Sequence, residues 1–214
     1  YFKNSPEKNF RLQRVYQDDR FLYFGSLGGG VKKYDKITHE LTVLGRSGPL
    51  KSDLIPSIHG DDNVIVFSTL GAGVVLFNKR SNQFKSFTKE NGLAGNDVRD
   101  AIVDGRFIWA GIHGKGLNKI DIETGKIEFL GEEKNLNLTY PVCIAKRGSE
   151  IWVGTLDGGL RIYRQDKNEW EKYTVVQGLL SNDINHIEFE GDYVWVGTLN
   201  KGISVIYYPE KNKF

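Results

Sequence analysis

Five polar residues recur at one fixed interval along the chain. They are Arg14, Ser57, Asp100, Cys143 and His186, each 43 residues from the next. Side chains of these types can act as acids, bases, nucleophiles or ligands, so a ring built of one from each repeat could select an ion or a small molecule. Cys143 and His186 are neighbours in the series, and a thiol beside an imidazole is a pairing that makes a nucleophile. A second set sits in short glycine-rich turns. "GIHGKG" carries His113 and Lys115, the link after it carries Tyr140, and the corresponding turns further on carry Asp157, Asn200 and Lys201. Imidazole, ammonium, phenol and carboxylate groups gathered on one surface would hold a ligand by charge, hydrogen bonds and ring stacking.

Other chemistries are thin. The 4 His, at His39, His59, His113 and His186, show no metal-ligand spacing, and Cys143 is the 1 Cys of the chain. No metal and no cofactor are expected. "GGG" at Gly28 to Gly30 reads as a hairpin turn, not as a phosphate cradle between a strand and a helix. Glycoside cleavage needs two carboxyl groups roughly 5 to 10 Å apart. Asp97 and Asp183 could meet that need only if neither is held by a turn, and only Asp100 would line a channel. We therefore expect no enzyme, and keep a glycosidase or lyase as an alternative. Asn137-Leu138-Thr139 is a lone glycosylation sequon.

The elements that must position these residues are strands. The last glycine of each turn falls at Gly30, Gly73, Gly116, Gly159 and Gly202, with no insertion between them. Around it the columns agree. The strand before the turn starts at Leu22, Ile65, Ile108, Ile151 and Val194, followed by Tyr23, Val66, Trp109, Trp152 and Trp195. The strand after it opens on Val31, Val74, Leu117, Leu160 and Ile203. Apolar β-branched and aromatic residues come in short runs bounded by Gly, Asn and Asp, and no segment keeps a 3.6-residue period over helical length. Each unit has four such runs. The Trp column is expected to be core, because its neighbours are apolar throughout; Trp170, on the outermost run, is the better surface candidate.

Four strands in a period of 40 to 50 residues is the pattern of a β-propeller. We expect an all-β, five-bladed propeller forming a single domain over residues 1–214, its ring closed by terminal segments that share one blade. The alternative is a fragment of a larger propeller. On this map the first strand of each blade lines the channel, the columns of Leu12 and Val15 pack between blades, and the Arg14 to His186 column faces the channel. A wet, idle channel outweighs a selective ring. On the loop face, Asn96, Asp97, Asn182 and Asp183 are expected to cap local backbone. The third unit breaks the chain's own rule, so His113, Lys115 and Tyr140 are favoured there for ligand binding.

The hairpin "WVGTLDGGL" and the link "VVQGLLSNDINHIEFEGD", with "ENGLAGNDVRDAIVDG" in the second unit, resemble the two-component regulator propeller repeat. The resemblance runs over essentially the whole chain. It implies an extracytoplasmic sensor propeller, in a family whose sensors precede a membrane span and a histidine kinase and are often linked to detection of sugars or other extracellular ligands. This chain carries five repeats, fewer than is usual there.

Composition fits that expectation. The chain is 214 residues long, 39% hydrophobic and 26% charged, with a formal net charge of +2. Scattered Lys and Arg without a basic stripe argue against a nucleic-acid partner. No apolar run approaches a membrane span, so no direct insertion is expected. There is no Met, which suggests a processed chain or an excised domain, periplasmic or extracellular in a bacterium. The expected partner is a small molecule, an oligosaccharide or another protein, within a larger receptor or complex. A rigid scaffold subunit is the remaining alternative.

Overall fold

The computed structural model describes residues 10–130, 138 and 140–209. Asn137 and Thr139 of the sequon lie outside them, as do residues 1–9 and 210–214 of the terminal segments expected to share a blade.

Five antiparallel sheets follow one another along the chain, each from a single stretch. The first holds β1 (Arg11–Gln17), β2 (Phe21–Leu27), β3 (Val31–Asp35) and β4 (Leu41–Leu44); the second holds β5 (Ser57–Gly60), β6 (Val64–Ser68), β7 (Val74–Asn78) and β8 (Gln83–Phe87). The third holds β9 (Val98–Asp104), β10 (Phe107–Ile112), β11 (Gly116–Asp121) and β12 (Ile127–Leu130). The fourth holds β13 (Pro141–Arg147), β14 (Glu150–Thr155), β15 (Gly159–Arg164) and β16 (Glu169–Tyr173). The fifth holds β17 (Ile184–Glu190), β18 (Tyr193–Thr198) and β19 (Ile203–Tyr207), with no fourth strand among the described residues. The chain divides into two compact units, residues 1–103 and 104–214.

Hydroxyl chemistry closes most of the hairpins. Ser26, Thr69, Thr155 and Thr198 share one column, and each donates its hydroxyl to the carbonyl of the turn glycine four residues on, at 2.8 to 2.9 Å. The same oxygens of Ser26, Thr69 and Thr198 accept the N–H of Gly29, Ala72 and Lys201. Ile112 takes this column in the third sheet. Lacking a hydroxyl, its turn is closed by backbone alone, with Lys115 N–H donating to Ile112 O at 3.0 Å. The irregular third unit is thus a different turn.

Between sheets, the apolar faces interlock. In the first unit, Tyr23 and Val31 of the first sheet meet Ile58, Ile65 and Phe67 of the second, with Ile55 of the link before it. In the second unit, Trp152, Leu160 and Ile162 of the fourth sheet meet Ile184 and Ile187 of the fifth, with Leu179 of the link before it. We call the face that a sheet turns to the repeat after it, as the first and fourth sheets do here, its trailing face, and the opposite face its leading face. The Trp109 and Trp152 rings are wholly buried on trailing faces, in keeping with the core reading of that column. Trp170 packs half-buried against Tyr163, ring centroids 4.9 Å apart.

Candidate functional site

The links that lead into each first strand are built by capping. Thr174 accepts the N–H of Val176, and its own N–H donates to Gln177 Oε1 at 2.9 Å. Gly178 ends that turn at φ 104°, a left-handed value glycine adopts freely. Asn182 Oδ1 accepts Val175 N–H at 3.0 Å, and Asn96 Oδ1 accepts Lys89 N–H at 2.7 Å in the equivalent link. Asp183 Oδ1 accepts Asp157 N–H at 2.9 Å. Asn96, Asn182 and Asp183 thus hold backbone N–H groups, as the sequence indicates.

Among the loop-face candidates, two contacts form. The His113 ring lies 5.2 Å from that of Tyr140, tilted by 54°. They come from the β10–β11 turn and the link into β13, and Tyr140 is 43% exposed. Asp157, at φ 66°, is tied to Asp183 through its N–H. Lys115, Asn200 and Lys201 stand exposed on their own hairpin turns.

The residues of the Arg14 to His186 column are unevenly buried. Ser57, Asp100 and Cys143 are buried, Arg14 is half-buried and His186 is exposed. Three first strands carry a register shift, between Leu12 and Arg14, Pro141 and Cys143, and Ile184 and His186. An inserted residue there changes the alternation. Leu12 and Val15 share the leading face, while Arg14 and Tyr16 go to the trailing face, against the next repeat. Ser57 Oγ donates to Asp100, which also accepts Ala101 N–H at 3.0 Å. His59 Nε2 is 3.1 Å from the same carboxylate, close enough for an ion pair when protonated but not aligned as a hydrogen bond. Cys143 lies inside the cluster between the fourth and fifth sheets, whereas His186 is on the far side of the fifth, 3.7 Å from Glu188. They form no nucleophile pair.

The best-defined electrostatics are away from the loop face. Burial raises the Asp104 carboxyl, but Lys146, Gln165 and Trp109 outweigh it, and the group is held below its ordinary range. Burial also pushes the Tyr208 phenol up, to about 12, against the donor from Arg164. In the first unit, Lys33 Nζ lies 3.8 Å above the Phe21 ring, and burial lowers its amine. It lines a groove of about 870 Å³ with Tyr16, Asp18, Phe77 and Lys79. The sequence pointed away from this groove, because its residues come from first-strand and outer turns; the repeated Asp pairs at 18–19 and 61–62 were the available signal. Among the described residues no group of three or more His, Cys, Asp or Glu could hold a metal ion, and no helix is long and apolar enough to cross a membrane.

No family model matches the sequence, and no curated protein matches it. Solved structures do match. The extracellular domain described for a hybrid two-component system of B. thetaiotaomicron, BT3049, aligns over 96% of this chain and 29% of its own, at 20% identity and a TM-score of 0.75. The extracellular domain described for a one-component system of the same organism, BT4673, aligns over 96% and 30%, at 21% identity and 0.76. The β-propeller domain of Myceliophteria thermophila Cps50 aligns over 98% and 69%, at 17% identity and 0.69. The chain thus spans less than a third of the two bacterial domains. At these identities the likeness establishes the fold, and the fold is a five-bladed antiparallel β-propeller.

Proposed function

We propose that this chain is a non-enzymatic, extracytoplasmic binding propeller of the two-component regulator type, working within a larger receptor, and that it takes an oligosaccharide on its loop face. The observation that carries this is the His113–Tyr140 pair, an exposed phenol ring braced by an imidazole where two repeats meet. Such a ring offers the flat apolar face against which a sugar stacks. Lys115 on the same turn adds a cation. Asp157, Asn200 and Lys201 extend the polar rim of the hairpin turns. The similarity to extracellular domains of signalling systems supports the sensing role, and the engagement of Asp183 by backbone weighs against carboxylate catalysis.

The test is a thermal-shift screen against neutral and acidic oligosaccharides, followed by titration calorimetry. A ligand at a hundred times its Kd adds about 2.7 kcal/mol to stability. The shift should vanish in Tyr140→Ala and fall in His113→Ala, with the unliganded Tm nearly unchanged. A hit that survives both substitutions places binding elsewhere, and no hit in the panel favours the scaffold role.

A further inference from the structure

Between the third and fourth sheets, Lys146 of β13 reaches across to Asp104 of β9, and Gln165 Nε2 donates to the same carboxylate at 2.9 Å. Between the fourth and fifth, the Lys146 column holds Phe189, whose ring packs on Trp152 with centroids 5.5 Å apart. Between the first and second, the same column holds Gly60, which sends no side chain across. The groove of about 870 Å³ opens there, with Gly60 and Lys33 among its lining residues. Lys33 is half-buried. Its Nζ lies 3.8 Å from the centre of the Phe21 ring, 5.7 Å from that of Tyr23 and 5.8 Å from that of Phe77 on the second sheet. Among the described residues no carboxylate comes within ion-pair distance of it. Ring faces solvate an ammonium less well than the water they displace. Burial, helped by Arg20, therefore holds the amine below its ordinary range against the pull of Asp18 and Asp35. Lys119 occupies the same column on the third sheet, 4.1 Å from the Phe107 ring and 4.9 Å from that of Trp109, in the joint that Lys146 and Gln165 fill.

We infer that Lys33 is a capture site for small neutral aldehydes, which enter the groove beside Gly60 and are held by its amine as an imine. The site stands apart from the loop face and does not depend on the reading above. A lysine desolvated among apolar groups and set beside other cations presents its lone pair at neutral pH and acts as a nucleophile. That lone pair adds to the carbonyl carbon, a proton passes from nitrogen to the former carbonyl oxygen, and loss of water leaves the C=N bond. No oxidant or reductant is consumed, and the open groove lets protons and water exchange. Its volume is that of a small-molecule site. The lining fixes the class of aldehyde. With Lys33 neutral, the carboxylates of Asp18, Asp19, Asp61 and Asp62 face only Arg20 and Lys79, so the groove is negative in balance and disfavours an anionic carbonyl compound. Gln17, Asn82 and the same carboxylates offer acceptors for hydroxyl groups. A short hydroxyaldehyde meets both requirements.

The test is reductive trapping on the full chain. Glyceraldehyde is added at neutral pH with cyanoborohydride, which reduces each imine to a stable secondary amine, and peptide mass mapping follows every lysine. Lys33 should be labelled faster than Lys119 by about fivefold or more. In urea that unfolds the chain, the two should react alike. Equal rates in the folded chain would overturn the inference. So would a preference for Lys33 that persists in urea, since it would then come from the neighbouring sequence and not from the groove. The same experiment with glyoxylate, an aldehyde that carries a carboxylate, tests the class of ligand. The ratio of Lys33 to Lys119 labelling should fall, and a ratio that holds or rises would overturn the assignment to neutral aldehydes.

Discussion

Trp152 and Trp195 stand 43 residues apart in the same column of the hairpin, and one is wholly buried while the other is 39% exposed. Both indoles donate to a carboxylate on their own sheet, Trp152 to Glu150 and Trp195 to Glu190, each at 3.1 Å. The difference lies in the neighbouring repeat: Trp152 is covered by the leading face of the fifth sheet, against Phe189 and Tyr208. Burial in this fold belongs to a pair of repeats, not to one.

Truncation should separate the two indoles. Trp152→Ala empties a packed joint and is expected to cost about 3–5 kcal/mol. Trp195→Ala removes a ring already half in water and is expected to cost about 1 kcal/mol or less. Urea unfolding of both variants measures this. Equal losses would mean that the face around Trp195 is covered in solution.

Much of this architecture was legible because each repeat repeats its reasons. The turn glycines, the Ser/Thr column that closes four hairpins, and Asn96 and Asn182 in the links announce their roles by residue type. Two things were not legible. The register shifts near Gln13, Val142 and Asn185 were hidden, and with them the side of the sheet that Arg14, Cys143 and His186 take. A bulge leaves no residue-type signature. The exposure of Trp195 was equally hidden, since the column looks the same in every unit and only a neighbour's presence decides it. At the candidate site, the departure of "GIHGKG" from its column was readable. That Tyr140 would meet His113 depended on the path of the link.

The turn glycines carry a similar contrast. Gly159 and Gly202 both hold left-handed φ values, 76° and 86°. A Cβ on Gly159 would run into the carbonyl oxygen of Tyr173 on the outer strand, while one on Gly202 would meet nothing within 4 Å among the described residues. Gly202→Ala should cost only the conformational term, roughly 1–2 kcal/mol. Gly159→Ala should cost clearly more, because β15 and β16 must part to admit the methyl. Thermal melts of the two variants should therefore rank in that order.

Ser57 and Asp100 link two repeats through a buried hydrogen bond. Ser57→Ala leaves a buried carboxylate short of one donor, a change expected to cost about 1–3 kcal/mol. Its effect should not add to that of Asp100→Asn, because the two residues share one interaction. A double-mutant cycle in urea reads the coupling, and strict additivity would show that the hydroxyl contributes nothing to the joint.

Acid should find the outer turns first. Arg20 donates to Asp35 and, 86 residues on in the same columns, Arg106 donates to Asp121. These donors, opposed by burial and helped by backbone N–H groups of Ile37, Thr38, Glu123 and Thr124, hold both carboxyls at about 2. An unfolded aspartate titrates near 3.9. A depressed native value stabilises the fold above the unfolded one and is lost as pH falls through the native one, so the loss runs from about pH 4 to about pH 2. The Asp35→Asn, Asp121→Asn variant should be less stable than the parent at pH 7 and lose less on going to pH 2. Because both arginines are substantially exposed, added salt should shrink that difference. Urea midpoints at pH 2, 3, 4 and 7, at low and high salt, give the comparison; parallel pH profiles for parent and variant would mean that these two turns do not set the acid limit.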